Sequence, residues 1–262
     1  ICGGNDLENA NTLAFTASFA AIFSFILIKK RLVKNMNIYK VAFFICIIFA
    51  VLTGSKKALI YLFVFFAVYY ILKSANFIKS IFNVVVITIV FLGICYFVLN
   101  NSFLYAIIGS RFETMISGFA GESTDASTSF RLELIDWGLE WAQARPVQGY
   151  GLDCFRYMLG ASHPNLWTGA EGVYAHNNYI ELLVDLGIIG VVCYYWIYLY
   201  IIYKGIKSYK SNMLQSTFTI ALILSSAVAE YGQISYFNPF LQCVILIAYA
   251  LVANMSYRNE IK

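Results

Sequence analysis

Long runs of apolar residues constrain the fold of this chain more than any other feature of its sequence. A helix needs about 20 mostly apolar residues to cross a bilayer, where no water can bond to exposed backbone groups. The sequence is 60% hydrophobic and 12% charged, whereas a soluble domain is about half apolar and a quarter charged. It therefore predicts an all-α polytopic membrane protein. Seven transmembrane helices are predicted, over residues 12–28, 39–54, 58–72, 81–99, 179–203, 213–229 and 239–257.

Basic residues indicate how these spans are oriented. The loops 29–40, 73–80 and 204–212 and the tail 258–262 together hold twelve of the eighteen Lys and Arg residues, with only one acid. Short loops rich in Lys and Arg face the cytoplasm. The opposite, external face then receives the segment 100–178, which lies between the fourth and fifth spans.

The sequence predicts a single integral-membrane domain over residues 1–262. Because the chain begins with Ile1 rather than Met, we expect it to be the C-terminal part of a longer protein. The external loop 100–178 is much longer than usual connections, which indicates a functional loop or a small subdomain. Within it, residues 128–146 have the pattern of an amphipathic helix that Thr128 or Ser129 caps. The apolar stripe of this helix consists of Phe130, Leu134, Trp137 and Trp141.

Several cations lie on the predicted external face, against the charge pattern of the other loops. Lys56 and Lys57 stand in a tight hairpin between the second and third spans. They are candidates either for snorkelling to lipid headgroups or for binding a phosphate or pyrophosphate. Arg111 follows the fourth span closely and is either a headgroup anchor or a further anion contact. Arg131 is expected in the first turn of the loop helix, where it opposes the helix dipole. Either acids of the same helix pair with it, or it binds a phosphate, because arginine suits bidentate phosphate recognition.

A second polar cluster opens the fifth span. His176 precedes this span, and histidine suits proton transfer near neutral pH. It is either a structural hydrogen-bonding residue or a catalytic one. Asn177, Glu181 and Asp185 are four residues apart and share one helix face. Acids at this depth are expected to face protein rather than lipid. They are candidates for orienting a base, binding sugar hydroxyls or pairing with Lys57.

Other chemistries have little support in the sequence. A metal site made of Asp153, His163 and His176 lacks any recognisable ligand spacing. The chain has no phosphate-binding loop, no dinucleotide fingerprint and no zinc-finger pattern. We therefore expect neither nucleotide chemistry nor a nucleic-acid partner.

The order of these motifs resembles the C-terminal half of the O-antigen ligase and O-antigen polymerase superfamily. Its pattern has a cationic hairpin, an arginine shortly before a tryptophan, a P-x-x-G-x-G turn and a histidine-asparagine block that opens a span. Two departures are Lys56, where the family has an arginine, and Ala10, where it has a proline. The matching segments are residues 9–15, Ser55–Leu59, Arg131 with Trp137, Pro146–Gly151 and His176–Gly190.

This resemblance implies a membrane glycosyltransferase with a GT-C-like fold on the outer face of the bacterial cytoplasmic membrane. The donor would be a glycan on undecaprenyl pyrophosphate, and the acceptor another glycan or a lipid core. The implied catalytic residues are His176 as general base and Arg131 as a stabiliser of the leaving group. No metal and no cofactor is implied, because cations of the protein do the charge work. The implied substrate-binding residues are Lys56, Lys57, Arg111, Asn177 and Glu181.

Within the superfamily, the sequence leaves a repeat-unit polymerase and a ligase open. Richness in Lys, Ile, Phe and Tyr indicates an AT-rich genome, and many such bacteria carry capsules or lack lipopolysaccharide, which favours the polymerase. A flippase and a chain-length regulator are the partners that a polymerase would imply. Outside the family, Glu181 and Asp185 would also suit an ion path in a transporter. The clustering of charge on one face, without a site at the membrane midplane, argues against that alternative.

Overall fold

The computed structural model describes residues 10–31, 34–74, 76–109, 113, 126–164 and 173–260. No β-strand occurs in these residues. Besides two short helical turns at Ser102–Leu104 and Tyr105–Gly109, the described parts contain nine longer helices. In chain order these are α1 (Ala10–Lys30), α2 (Met36–Leu52), α3 (Lys56–Lys73), α4 (Phe77–Asn100), α5 (Ala126–Ala144), α6 (Cys154–Ser162), α7 (Asn178–Lys207), α8 (Met213–Glu230) and α9 (Pro239–Glu260).

The predicted all-α membrane fold is confirmed. Each of the seven predicted spans lies largely within one helix, namely α1 to α4 and α7 to α9. In the described part of the chain, four of these helices are long and apolar enough to cross a membrane: α1, α4, α7 and α8. Helix α2 and the first part of α9 are shorter apolar helices. The chain is therefore a multi-pass membrane protein.

The chain divides into two compact units. Unit 1 comprises residues 1–123 and 212–225, and unit 2 comprises residues 124–211 and 226–262. The single integral-membrane domain stays a prediction.

Aromatic side chains form much of the core of unit 1. Phe25 of α1 makes edge contacts with Phe66 and Tyr69 of α3, at centroid distances of 5.3 and 5.1 Å. Phe65, on another side of α3, packs edge-on against Phe218 at 5.7 Å. Such pairs add about 0.5–1.5 kcal/mol each beyond the area they bury. Helix α4 differs, because most of its surface is exposed.

Helices α2 and α3 form the tight hairpin that the sequence predicts. Helix α2 ends at Leu52 and α3 begins at Lys56, so only three residues connect them. Gly54 turns the chain with φ at +62°, a conformation that costs glycine little. Ser55 is the N-cap residue of α3, and its hydroxyl donates to Oδ1 of Asn11 at 2.8 Å. This hydrogen bond ties the hairpin to the start of α1.

In unit 2, helix α5 buries its apolar stripe as predicted. Leu134 is fully buried, and Phe130, Trp137 and Trp141 pack against the same core cluster. The predicted cap is wrong, because α5 begins at Ala126, before both candidate residues. Serine and threonine are favoured at helix starts but are also tolerated inside helices, so the cap signal did not fix the boundary. The predicted end before Arg145 and Pro146 is confirmed.

Candidate active site

The start of α7 has an unusual backbone that positions a histidine. Asn177 caps the helix, and its Oδ1 accepts hydrogen bonds from the amides of Tyr179 and Ile180 at 3.0 and 3.2 Å. His176, just before the cap, has a left-handed backbone with φ at +53°. Its ring packs against the ring of Tyr174, with centroids 4.1 Å apart. The cap uses two amides of the first turn, so an anion bound here would feel the helix dipole rather than those two N–H groups.

Glu181, one turn into α7, is fully buried beside this segment. Its Oε2 accepts a hydrogen bond from the backbone amide of Ala175 at 2.6 Å. Its Oε1 is also buried and has no hydrogen-bond partner among the described residues. Leaving a buried polar atom unpaired costs about 1–3 kcal/mol, and such atoms in native structures point to a functional role. One carboxyl oxygen of Glu181 is therefore left without a structural role among the described residues.

The charges of two arginines act on Tyr174. Burial raises the pKa of the Tyr174 phenol, and the charges of Arg131 and Arg156 partly oppose this shift. The Arg156 guanidinium lies over the ring of Tyr174 at 5.9 Å and over the ring of Phe237 at 5.5 Å. It also pairs with Asp153, with Nε and Oδ1 3.0 Å apart. Tyr174 is thus in contact with His176 and Arg156, and the charge of Arg131 also acts on it.

Arg131 lies one turn deeper in its helix than expected. It is the sixth residue of α5, so it stands beyond the first turn, where the dipole effect is strong. The predicted conflict between Arg131 and the helix dipole is therefore absent. Core packing brings α5 close to the segment that contains Tyr174. Leu134 and Trp137 of α5 belong to the same core cluster as Val173, which precedes Tyr174.

Asp185 has a structural role that accounts for its burial. Its two oxygens accept the backbone amides of Asp153 and Phe155 at 2.8 and 2.9 Å, and the hydroxyl of Tyr236 donates to Oδ2 at 3.0 Å. Burial and the nearby Asp185 charge raise the pKa of Tyr236, which keeps this phenol a hydrogen-bond donor. Asp185 thus ties the start of α6 to α7. These three hydrogen bonds make Asp185 a structural residue. They occupy both of its carboxylate oxygens.

The P-x-x-G-x-G turn docks into a bend of α7. Gly187 interrupts the helix with φ at +63° and ψ at −166°. The amides of Ile188 and Tyr150 bond across this junction, to the carbonyls of Pro146 at 2.9 Å and Val184 at 3.0 Å. A Cβ at Gly187 would lie 2.3 Å from the carbonyl oxygen of Val147. The two glycine-containing motifs therefore form one backbone junction, which carries the chain from α5 to α6 beside α7.

A buried polar network holds the turn before α9 against α7. Oδ1 of Asn178 accepts the amides of Ser235 and Tyr236 at 2.9 and 3.1 Å. Its Nδ2 donates to the hydroxyl of Tyr195, which donates in turn to Glu230 at 2.7 Å. Glu230 is fully buried and also accepts hydrogen bonds from Ser235 and from a second tyrosine. This network holds Tyr236 and its neighbour Phe237 beside Asp185 and Arg156.

The remaining predicted site residues lie in unit 1 or outside the described residues. Lys56 and Lys57 are the first two residues of α3 and are half-buried. Arg111 lies outside the described residues. His163 stacks on Trp137 at 3.9 Å, and the described residues contain no group of three or more His, Cys, Asp or Glu side chains that could hold a metal ion.

Comparison with known proteins bears on this arrangement. The profile of the O-antigen ligase family matches residues 41–195, which is more than half of the chain. The chain belongs to the O-antigen ligase family. The matched region contains every predicted site residue, from Lys56 to Glu181. No curated protein and no solved structure gives a significant match.

Membership in the O-antigen ligase family confirms the resemblance and assigns the chain to membrane enzymes of the ligase and polymerase type, which act on lipid-linked glycans. It favours an enzyme over the transporter alternative.

Sequence reasoning missed Arg156. This residue follows the glycine-rich turn by five positions, in a segment that was expected to be a loop and is instead the short helix α6. A cation in the external loop was a weak signal, because nothing in the local pattern relates it to Tyr174 or Phe237. Only the docking of α6 onto α7 through Asp185 brings it there.

Proposed function

We propose that this O-antigen ligase family member polymerises oligosaccharide repeat units carried on undecaprenyl pyrophosphate. The reaction would take place on the outer face of the bacterial cytoplasmic membrane and build a surface polysaccharide. The acceptor would be a second lipid-linked glycan, and a ligase that delivers the glycan to a lipid core or a protein is the alternative. The charge pattern of the loops supports this orientation, and the composition favours the polymerase.

The observation that carries the proposal is the cluster around Tyr174. It combines a histidine at the start of a membrane helix, two arginines and a buried carboxylate oxygen without a partner. A glycosyl transfer from a lipid pyrophosphate needs these three kinds of group. The cations stabilise a dianionic leaving group, the base takes a proton, and the acceptor oxygen positions a sugar hydroxyl.

The proposed step forms one glycosidic bond. The acceptor hydroxyl attacks the anomeric carbon of the donor glycan, and the bond from that carbon to the pyrophosphate oxygen breaks. His176 takes the proton of the attacking hydroxyl. Arg131 and Arg156 would both stabilise the negative charge that develops on undecaprenyl pyrophosphate. Glu181 would accept a hydrogen bond from a hydroxyl of the bound glycan through Oε1, and the step uses no metal ion.

Other proposed contacts come from the sequence. Lys56, Lys57 and Arg111 stay predicted contacts of the pyrophosphate. Asn177 stays a predicted substrate contact through its amide nitrogen, because its oxygen caps α7. A flippase and a chain-length regulator are proposed partners of the polymerase.

Deletion of the gene tests this function and separates the two acceptors. Surface glycan and the undecaprenyl-linked pool would be extracted from the deletion strain and from a strain complemented with the full-length protein. For a polymerase, long chains disappear while single repeats still reach their final acceptor. Long chains that accumulate on the undecaprenyl carrier would show a ligase instead. Glycans that do not differ between the two strains would contradict both.

A further inference from the structure

An apolar groove runs along one side of unit 1, between α2 and α4. Its volume is about 420 Å³, within the range of about 300–1,000 Å³ that is usual for small-molecule sites. Its rim is open, since Ile48, Val90 and Phe97 are each more than half exposed. The lining consists of Ile47, Ile48, Val51, Leu52, Val90, Gly93, Ile94, Phe97, Val98 and Leu104.

Gly93 forms a notch in the wall of this groove. A Cβ built at this position has no heavy atom within 4 Å, apart from those of its own neighbours and helix backbone. Glycine in the interior of a helix costs about 0.5–1 kcal/mol relative to alanine, and here neither a turn nor a tight contact requires it. What the glycine provides is open space beside the α4 backbone.

The groove ends next to two cations. Leu52 lines it and is the last residue of α2, four positions before Lys56. Leu59, one turn after Lys56, belongs to the core cluster that includes the groove residue Val98. Lys56 and Lys57 therefore follow the groove residue Leu52 by four and five positions, at the start of the helix that packs on Val98 through Leu59. The stretch of α4 from Val90 to Val98 gives the groove a length of about 12 Å.

This pairing of an apolar channel with adjacent cations matches one chemical class of ligand. A prenyl phosphate has a flexible hydrocarbon chain joined directly to an anionic head. Phospholipid acyl chains would also suit the walls, but they are joined to the phosphate through glycerol. The lipid-linked substrates of the family require a place for their hydrocarbon chain. Most of the apolar surface of α4 is exposed, so the groove is open for such a chain to enter.

We propose that this groove binds the phosphate-proximal isoprene units of the lipid-linked substrate, with the phosphate at Lys56 and Lys57. The inference rests on the proposed function for the identity of the lipid. It adds a binding site and assigns a role to Gly93, which would leave room for the methyl branches of the prenyl chain.

Photolabelling of the full-length protein in nanodiscs tests this site. The probe is undecaprenyl monophosphate with a diazirine on an isoprene unit close to the phosphate, and labelled residues are mapped by mass spectrometry. We expect labels on the groove lining, and we expect unlabelled undecaprenyl phosphate, but not excess phosphatidylglycerol, to remove them. Gly93→Phe should fold, because its ring enters open space, and should lose the labelling. The matched control Leu92→Phe, at an exposed position outside the lining, should keep it.

The opposing outcomes are distinct. Labels that phosphatidylglycerol removes equally well would show an ordinary lipid contact and overturn the proposal, as would labelling confined to other helices. The probe carries no glycan, so its binding does not depend on transfer. If the groove is not labelled but the deletion strain loses its long glycan chains, the binding proposal for the groove is wrong and the proposed function stands. Groove labelling with unchanged glycans in the deletion strain would support the groove and contradict the proposed function.

Discussion

The left-handed backbone of His176 supports the catalytic role that we propose for this residue. A left-handed conformation is uncommon outside glycine, although histidine and asparagine adopt it more often than most residues. Strain of this kind costs on the order of 1–3 kcal/mol and gathers at functional sites. His176 comes directly after Ala175, whose amide donates a hydrogen bond to Glu181, and directly before the helix cap Asn177. The histidine is therefore held at both sides by its neighbours.

Glu181 offers a clean test of the unpaired oxygen. In Glu181→Gln the amide oxygen can still accept from Ala175, but an N–H₂ donor replaces Oε1. We expect a transfer rate lower by about tenfold with little change in thermal stability, since a hydrogen bond contributes about 0.5–1.5 kcal/mol. Glu181→Ala should also lower the melting temperature, because it removes the Ala175 contact. Wild-type transfer by the glutamine variant would contradict the assigned role.

Arg156 should matter through its charge and through its planar shape. Arg156→Ala removes a cation near Tyr174 and should reduce transfer by about tenfold or more, whereas Arg156→Lys keeps the charge, loses the stacking and should fall between. Arg145→Ala is the matched control, because this residue also stacks on a tyrosine, Tyr150, at 4.9 Å. Transfer rates of the purified full-length variants check this. If Arg145→Ala lowers the transfer rate as much as Arg156→Ala does, then Arg156 contributes only through packing.

Among the secondary-structure elements, the bend in α7 and the glycine-rich turn that bonds to it position the candidate site. Helix α7 bends at Gly187, and the turn from Pro146 to Gly151 enters this bend through backbone hydrogen bonds. The short helix α6 then begins on the carboxylate of Asp185. Helices alone would not bring Arg156 to the start of α7, so the site depends on this junction.

Gly187→Ala should disrupt the junction. Its Cβ would lie 2.3 Å from the carbonyl oxygen of Val147, and its φ of +63° is unfavourable for alanine. We expect a loss of several kcal/mol in stability together with loss of transfer, measured by thermal unfolding in detergent and by activity. Gly93→Ala is the control, since it adds a methyl group in open space within a helix and should leave the melting temperature equal or slightly higher. Similar melting temperatures for Gly187→Ala and the wild type would show that the protein does not need this backbone junction for its stability.

The sequence predicted the helices well and the contacts between them poorly. Span positions, the α2–α3 hairpin and the stripe of α5 follow from local hydropathy and period, which single sequences carry. The start of α5 was missed because serine and threonine also occur inside helices. The role of Asp185 and the place of Arg156 depend on segments about thirty residues apart in sequence, and no local pattern encodes such a pairing. Lys56, Lys57 and Arg111 stay predictions.

In the whole molecule, the orientation predicted from the basic loops places the turn before α9 and the loop before α8 on opposite sides of the membrane. Lys210 and Tyr231 are exposed and flank α8. In a background without native cysteines, an impermeant maleimide should label Tyr231→Cys in intact spheroplasts and Lys210→Cys only after permeabilisation. Labelling of both from the same side would contradict the orientation, and labelling of Lys210→Cys alone would invert it.

The most direct test of the central claim follows the release of undecaprenyl pyrophosphate from a lipid-linked repeat unit by the purified full-length protein. His176→Asn is the variant of choice, because asparagine tolerates the left-handed backbone and still removes the base. His163→Ala, at the other histidine, is the control. We predict one undecaprenyl pyrophosphate per glycosidic bond for the wild type, a nearly unchanged rate for His163→Ala, and a loss of about 10²- to 10⁴-fold for His176→Asn. Release by His176→Asn at the wild-type rate would contradict the proposed role of His176 as the general base.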